Sequence, residues 1–384
     1  MKKRTKIIIL GIVVCIFLYA QWSTDTYMGR WLKWRASDIL DHEKFPKYDL
    51  NASKKPFYFL DTPQANFGLL EVTKKGSNKS PLQEIIQNSG TTAFLFIRND
   101  SLLYEKYANG YDRASINTSF STAKSITSLL IGKAIDDGYI KTEGDKVTTY
   151  LPELKQMDPQ FDNLQIAHLL DMRSGLQFKD HDLPWGDKPK AYYNPKLRER
   201  VKELPITFPP DSHFQYNSYN PIILGMIVEK ASGLSPAAYF EEALWNHMGM
   251  EYAGSWSMDS EASGMTKMES GLNLRAIDFA KFGRLILNKG QWNNIQLISQ
   301  NWINKSISID PDHKLDEFGK ELYYENCWWL YSKNGRTPYM IAATGHLGQF
   351  LYIFPEKNII IVRMGKKQGN VDSWTTIFKE LSGY

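Results

Sequence analysis

The chain has 384 residues, of which 42% are hydrophobic and 13% aromatic, enough for a large core in one domain or two. This composition excludes a disordered chain. Four basic residues at the amino terminus account for the formal charge of +4, since the rest of the chain has 42 basic and 42 acidic residues. A balanced body gives no basis for nucleic-acid binding, which depends on clustered Lys and Arg.

The first twenty residues join a basic head to an unbroken apolar run from Ile7 to Ala20. This layout is typical of a secretory signal or an uncleaved membrane anchor. The run of 14 residues is shorter than the roughly 20 that span a bilayer, while Leu18 is large for the position two before a cleavage site at Ala20. We predict that residues 1–22 are a signal peptide or, preferably, an anchor. Residues 7–20 would then lie in the membrane and the body would be periplasmic or otherwise extracytoplasmic.

Metal ligands and disulfides have little support in the sequence. Cys15 and Cys327 are the only cysteines, so an exported body has one thiol and no internal disulfide. The seven histidines show no ligand spacing such as His-x-x-x-His. We therefore expect no metal and no cofactor.

The first elements of the body follow a polar connecting region, residues 23–85. Two apolar runs in "TAFLFIRNDSLLYEKYANGY" meet at Asn99 and Asp100, which predicts a β-hairpin at the start of a sheet. A helix is predicted after Ser121, because apolar residues recur at helical spacing from Ile126 to Ala134, and Gly138 is a natural stop.

Residues 145–270 are mostly helical in pattern, with cap and stop residues that place helices at 220–233 and 235–249, and a further helix is expected at 275–288. Strand character returns after residue 320, before a last helix in "SWTTIFKEL". Strands at both ends with helices between them predict an α+β fold in which residues 86–384 form one domain with a helical insertion at about 145–270.

The segment "FSTAKSITSLLIG" places Ser121 three residues before Lys124 at the start of a helix, where the two side chains can touch. A serine hydroxyl becomes a nucleophile when a nearby base takes its proton, and a lysine held neutral can be that base. A Ser-x-x-Lys pair occurs about once by chance in a chain of this length. A solvated polar helix start therefore stays an alternative for the pair alone.

Two later motifs add to this pair. "FQYNSYNP" places Tyr216 and Ser218 in the loop before a helix, and "TGHLGQFLYIFP" places His346, Gly348 and Gln349 at the start of a strand. Taken alone, Tyr216 is better interpreted as a core tyrosine with a satisfied hydroxyl.

With these motifs in order, the chain resembles the penicillin-recognising serine hydrolases, which include class C β-lactamases, DD-peptidases and related esterases. The matching stretches include "STAKSITSLLIGKAIDDGYI", "IAHLLDMRSGL", "LRAIDFAKFGRLIL" and "GHLGQFLYIFPEKNIIIV". "LLDMRSGL" and "ALWNHMGM" are most similar to the branch with 6-aminohexanoate-dimer hydrolase, which cleaves short linear amides and esters. The resemblance implies an antiparallel sheet flanked by helices, as in β-lactamases and transpeptidases.

By the same resemblance Ser121 matches the acylated nucleophile, Lys124 its proton acceptor and Tyr216 the proton relay. A phenol beside an ammonium is expected to shift towards its charged form. The oxyanion hole would use the N–H of Ser121 and one from the strand that begins near His346 to Gln349.

The chain departs from the family in two motifs. His346-Leu347-Gly348 replaces the usual Lys-Thr-Gly, so a mostly neutral imidazole stands where β-lactam binders have a cation, although Arg363 on the next strand is a candidate partial substitute. Tyr-Asn-Ser replaces Tyr-x-Asn, which passes a polar contact to Ser218. These changes favour a small amide or ester as substrate. A DD-peptidase or β-lactamase, and a silent cell-wall or peptide binding protein, remain alternatives.

Two further features are the segment 178–194 and the histidines His168 and His346. Residues 178–194 carry Trp185, Tyr192 and Tyr193 and are either a wall of the substrate cleft or a solvated loop. His168 is predicted to be structural, whereas the matched position of His346 faces the cleft.

Overall fold

The computed structural model describes residues 3–313, 315 and 321–384. The helices in this part of the chain are α1 Lys3–Trp22, α2 Tyr27–Trp34, α3 Leu82–Asn88, α4 Ala123–Asp136, α5 Val147–Tyr150, α6 Glu153–Met157, α7 Ile166–Leu170, α8 Asp187–Tyr193, α9 Leu197–Lys202, α10 Tyr219–Ser232, α11 Pro236–Ala243, α12 Ala276–Leu287, α13 Gln300–Ser306 and α14 Trp374–Ser382.

The strands are β1 Lys47–Leu50, β2 Leu60–Asp61, β3 Glu71–Lys75, β4 Asn78–Pro81, β5 Thr91–Arg98, β6 Ser101–Tyr107, β7 Asn117–Thr118, β8 Gly254–Ser257, β9 Leu272–Leu274, β10 Gln291–Trp292, β11 Ile295–Gln296, β12 Leu322–Glu325, β13 Trp328–Tyr331, β14 Met340–Gly345, β15 Gln349–Phe354 and β16 Ile359–Gly365. Eight of them form the main sheet in the order β12-β13-β14-β15-β16-β5-β6-β2. The pairs are antiparallel except β2 with β6. The sheet therefore takes strands from both ends of the body, as predicted.

The main sheet is covered on both faces. Leu95 and Ile97 of β5 join a core with α4, α10 and α12, while Phe94 and Phe96 of the same strand join a second core with α3 and α14. Successive side chains of a strand point to opposite faces, so one strand supplies both cores. This explains why the strands read as continuous apolar runs.

Local signals in the sequence located several turns correctly. Asn99 and Asp100 have φ of 53° and 57°, as a two-residue hairpin turn requires. Helix α4 ends before Gly138, whose φ is 78°, and α10 ends before Gly233, whose φ is 76°.

Some helix boundaries differ from the prediction. Helix α10 has Ser218 as its cap residue, two residues before the predicted cap Asn220, and the side chain of Asn217 accepts a hydrogen bond from the N–H of Tyr219 (2.9 Å). The next predicted helix ends at Ala243 and a short 3₁₀ turn follows. Helices α5 to α11 are the main regular elements of residues 145–270, and β8 and β9 belong to a small sheet of order β1-β8-β9-β7.

Residues 23–85, expected to connect the membrane segment to the body, supply elements of the body itself. Strand β1 pairs with β8, and β2 forms the edge of the main sheet beside β6. The turn of the β3–β4 hairpin is exposed, as "KKGSNKSP" indicated. Their short apolar segments did not stand out from polar neighbours in the sequence.

Helix α1 contains the apolar run, and its side chains from Ile7 to Tyr19 are exposed. Among the residues that the structure describes, no helix has both the length and the hydropathy needed to cross a membrane.

Candidate active site

Ser121 lies in a 3₁₀ turn, Phe120–Thr122, that leads directly into α4. Phe120 has φ of 50°, an unfavourable conformation for an aromatic residue, and its side chain is buried. Such backbone strain persists where the surrounding structure imposes it, commonly at functional sites. The turn leaves Ser121 half-buried, at the start of a helix whose other residues are almost all buried.

Lys124 is placed to act on this serine. Its Nζ donates a hydrogen bond to Oγ of Ser121 (2.9 Å) and a second one to the main-chain oxygen of Glu269 (2.9 Å). Only 1% of Lys124 is exposed. Burial, which penalises the ammonium form, lowers the pKa of Lys124 to about 8, although the Glu269 carboxylate acts in the opposite direction. A substantial fraction of the amine is therefore neutral near pH 8.

Tyr216 reaches the same serine from the loop before α10. Its hydroxyl is hydrogen-bonded to the Ser121 hydroxyl, and Nζ of Lys124 lies 5.1 Å from the centroid of its ring. The ring stacks on Trp329 (5.7 Å between centroids) and meets Tyr324 edge-on (5.9 Å). The three predicted catalytic side chains thus converge from two distant parts of the chain.

The expectation that an ammonium would pull the phenol towards its charged form was wrong. Burial raises the pKa of Tyr216 above its ordinary value, and the hydrogen bond with Ser121 offsets this only in part. The reason is geometric, because Lys124 faces the ring of Tyr216 and donates its hydrogen bonds elsewhere. In the resting site the phenol is a neutral hydrogen-bonding group.

The third motif contributes His346, which is exposed at the end of β14 and meets the ring of Phe120 edge-on (5.4 Å). Partial burial lowers the pKa of His346, with Asp182 and Lys188 acting on it in opposite directions. The imidazole is therefore neutral at pH 7, as its ordinary titration range predicted.

Gly348 and Gln349 have structural roles that the sequence did not reveal. The side-chain amide of Gln349 is buried, donating to the main-chain oxygen of Gly365 (2.6 Å) and accepting from its N–H (3.1 Å). Gly348 has φ of 87°, and a Cβ there would lie 2.0 Å from Nη1 of Arg363. The space that the glycine leaves is occupied by that guanidinium, and is not an approach for substrate.

Arg363 does not substitute for the missing cation of the third motif. It is fully buried, donates to the main-chain oxygens of Gly348 (2.7 Å) and Lys367 (2.6 Å), and lies over the ring of Trp374. Burial lowers its pKa to about 9. The guanidinium ties β16 to the loops at its end.

Among the remaining predicted residues, Ser218 is half-buried at the amino-terminal cap of α10. Its neighbour Asn217 is buried and bonds to main-chain groups, donating to the oxygen of Leu176 (3.1 Å). His168 caps α7, since its Nδ1 accepts from the N–H of Gln165 (3.2 Å), which agrees with a structural role.

Residues 178–194 are a loop followed by α8, and their aromatic residues have different surroundings. Trp185 is exposed, while Tyr193 is buried and donates to the main-chain oxygen of Arg35 (3.0 Å). Tyr192 donates to a carboxylate oxygen of Asp41 (2.6 Å), and its ring lies 6.0 Å from that of Phe120. Tyr192 is therefore packed beside Phe120, the residue before the predicted nucleophile.

Sequence reasoning missed two groups near the site. Lys267 and Glu269 form a buried ion pair (2.7 Å) next to Lys124. Asp171, His313 and Glu325 bring side-chain ligand atoms within 4.8 Å of one another. Asp171, His313 and Glu325 come from separate parts of the chain, and the contact of Glu269 with Lys124 joins residues 145 positions apart, so no local spacing signals either group.

Comparisons with known proteins identify the family and the fold of this chain. A family model described as Beta-lactamase matches residues 82–378. The 6-aminohexanoate-dimer hydrolase of Paenarthrobacter ureafaciens is 24% identical over 302 residues, which cover 74% of this chain and 74% of that protein.

Two solved structures are similar in fold. A Bacillus anthracis protein, provisionally named a 6-aminohexanoate-dimer hydrolase, superimposes with a TM-score of 0.80 at 24% identity, over 91% of this chain and 92% of its own. A penicillin-binding protein from Bacillus halodurans gives a TM-score of 0.62 at 17% identity, over 78% and 99%. These likenesses confirm the predicted fold.

Proposed function

Because the chain belongs to the β-lactamase family, we propose that it cleaves small amides or esters through an acyl-enzyme formed at Ser121. Family membership makes it a serine hydrolase. The observation that supports Ser121 as the nucleophile is its contact with Lys124, a buried amine 2.9 Å away with a pKa of about 8. A solvated polar helix start would leave this amine in water and charged.

In the first step the neutral amine of Lys124 takes the proton from Oγ of Ser121, and Oγ attacks the carbonyl carbon of the substrate. The carbonyl oxygen becomes negative in the tetrahedral intermediate. Main-chain N–H groups stabilise it, one from Ser121 at the helix start and one from the beginning of β15. Both groups are held by elements packed in the core, so they need little reorganisation during the reaction.

The intermediate collapses when the bond to the leaving group breaks. An amine leaving group needs a proton, which the ammonium of Lys124 supplies through the hydroxyl of Tyr216. The high pKa of Tyr216 suits this role, because the hydroxyl keeps a proton to donate while it accepts another. Water then attacks the acyl-enzyme, and the same groups return the proton to Ser121.

The proposed substrate class is a short linear amide or ester. The 6-aminohexanoate-dimer hydrolase of Paenarthrobacter ureafaciens has a linear amide dimer in its name, and it matches three quarters of this chain. His346, a neutral side chain, stands where penicillin-binding relatives are expected to place a cation, and Arg363 is buried. Both features disfavour selection for the carboxylate of a β-lactam.

A labelling experiment distinguishes the three functions considered. The purified protein is treated with a fluorophosphonate, a penicillin and p-nitrophenyl esters, and adducts are located by mass spectrometry. Labelling at Ser121 by the fluorophosphonate and esters, with little by penicillin, supports the proposal. Strong penicillin acylation favours a DD-peptidase or β-lactamase, and no adduct favours a binding protein. A Ser121→Ala variant that still carries the adduct would show that another residue is the nucleophile.

For location, we propose export with attachment to a membrane through residues 7–20. The basic head and the apolar run support this arrangement, and the exposed apolar side chains of α1 need a covering partner in water. Fractionation of cells and the mass of the amino-terminal peptide test it. Recovery in the soluble fraction with residues 1–20 intact would contradict it.

A further inference from the structure

We propose that Glu269 is a positioning residue for this reaction, whose main-chain carbonyl orients Nζ of Lys124 and whose carboxylate, held by Lys267, balances the charge on that amine. This inference rests on the proposed function, in which Lys124 is the base. It assigns a role to a buried ion pair that none of the sequence motifs includes.

The contacts place Glu269 between two lysines. Its main-chain oxygen accepts a hydrogen bond from Lys124 (2.9 Å), while Oε1 accepts from Lys267 (2.7 Å) and from the hydroxyl of Ser270 (2.8 Å). Only 1% of the Lys267 side chain and 2% of the Glu269 side chain are exposed. Oε2 of Glu269 is buried without a hydrogen-bond partner among the described residues.

A buried carboxylate with one unpaired oxygen is costly, because desolvation of a charged group is only partly repaid by a single ion pair. A structural ion pair would be expected to satisfy both oxygens. The arrangement instead leaves part of the negative charge uncompensated beside a lysine that must alternate between charged and neutral forms. That charge stabilises the ammonium of Lys124 after it has taken the serine proton.

The groups that face Lys124 come from three parts of the chain. Glu269 and Lys267 act on its charge with opposite sign, Glu269 raising and Lys267 lowering its pKa. Cys327, at the turn between β12 and β13, also raises it, but burial raises the pKa of this thiol to about 12, so it is neutral at pH 7. Tyr216 is likewise neutral. The ion pair is thus the charged element in this environment.

Lys267 is held by more than its carboxylate partner. Its Nζ donates to the main-chain oxygen of Tyr192 (2.6 Å) and lies 4.7 Å from the centroid of that ring and 4.8 Å from that of Phe45. Removal of the Glu269 charge therefore leaves Lys267 in place. The aliphatic part of a methionine fills much of the same volume, so Lys267→Met keeps the packing while it removes the charge.

The test is the pH dependence of two rates, ester hydrolysis (kcat/KM) and fluorophosphonate labelling of Ser121. Both require neutral Lys124, so both rates fall as the pH drops below the pKa of Lys124. We call this falling part of the pH profile the acid limb. Glu269→Gln removes a negative charge and should move this acid limb to lower pH by about one unit. Lys267→Met leaves the carboxylate unopposed and should move it to higher pH by a similar amount. The variant with both substitutions, Glu269→Gln and Lys267→Met, should have a pH profile close to that of the wild-type protein.

Shifts of opposite sign cannot arise from a general loss of structure. Glu269→Asp keeps the charge and should retain the acid limb of the wild-type protein. If Lys267→Met does not fold, the comparison of Glu269→Asp with Glu269→Gln still tests the role of the charge. Matched controls are Asp278→Asn and Lys281→Met, which break another buried pair (2.9 Å) on α12. These substitutions should lower the free energy of unfolding without shifting the acid limb of the pH profile.

The experiment separates failure of the proposed function from failure of the role proposed for the ion pair. If the wild-type protein is neither labelled nor active, the proposed function is wrong and this inference falls with it. If the wild-type protein is labelled at Ser121 but the limbs of Glu269→Gln and Lys267→Met stay together or move in the same direction, only the role of the ion pair is refuted.

Discussion

Asp171 accepts a hydrogen bond from the main-chain N–H of Asn326 (2.7 Å), which joins the end of α7 to the turn between β12 and β13. The same turn carries Cys327, whose main-chain oxygen accepts from Ser125 on α4 (2.6 Å). Trp329, on strand β13 directly after this turn, packs against the ring of Tyr216. A carboxylate outside the catalytic group therefore helps to hold one wall of the site.

The free energy of unfolding should depend on pH through Asp171. Burial and the nearby Glu325 carboxylate raise its pKa to about 7, so the folded protein binds a proton that the unfolded chain releases above pH 4. Stability should consequently fall as pH rises from about 4 to 7, with a slope of up to about 1.4 kcal/mol per pH unit for each proton. His313, whose pKa is raised by its hydrogen bond to Glu325, acts in the same direction.

Asp171→Asn tests this linkage, because the amide oxygen can still accept from Asn326 but does not titrate. Urea unfolding at pH 5, 6, 7 and 8 should show a shallower pH dependence for the variant, and a smaller deficit at pH 8. Identical slopes for variant and wild type would refute the assignment.

Catalysis should require the neutral amine of Lys124. With a pKa of about 8, kcat/KM for a p-nitrophenyl ester should rise about tenfold per pH unit below pH 8 and level off above it. Lys124→Arg keeps a cation but has no neutral form near this pH, so its rate should fall by at least about 10²-fold. A wild-type profile that is flat from pH 6 to 9 would contradict the role of Lys124.

Tyr216→Phe should impair amides more than activated esters. The variant keeps the ring that packs on Trp329 but cannot pass a proton to the leaving group. A p-nitrophenoxide leaves without a proton, whereas an amine does not, so the loss should reach about 10²- to 10⁴-fold for an amide and be smaller for the ester. Equal losses on a matched ester and amide would assign Tyr216 to positioning instead.

Gly348→Ala should destabilise the fold well beyond the backbone effect. A Cβ at this position would overlap Nη1 of the buried Arg363. Gly110 is a matched control, since its φ of 85° is close to the 87° of Gly348 and no atom lies within 4 Å of an added Cβ. We expect about 1 kcal/mol for Gly110→Ala and about 3 kcal/mol or more for Gly348→Ala, measured by chemical unfolding. Equal losses would show that Arg363 adjusts freely.

Much of this protein follows from local sequence. The hairpin at Asn99 and Asp100, the helix that begins after Ser121 and the stop at Gly138 depend on backbone conformations that few residue types adopt readily, so short patterns predict them. The Ser121 and Lys124 pair was equally predictable, because one helical turn brings residues three apart into contact.

Only the tertiary structure determines the burial, the contacts and the pKa values of those residues. The pKa of Lys124 depends on burial and on Glu269, 145 residues away, and the raised pKa of Tyr216 reverses the expectation from charge alone. Arg363 and Gly348 look like substrate contacts in the motif, yet they contact each other. Desolvation and Coulomb interactions depend on distances between elements, which the sequence of a single chain does not reveal.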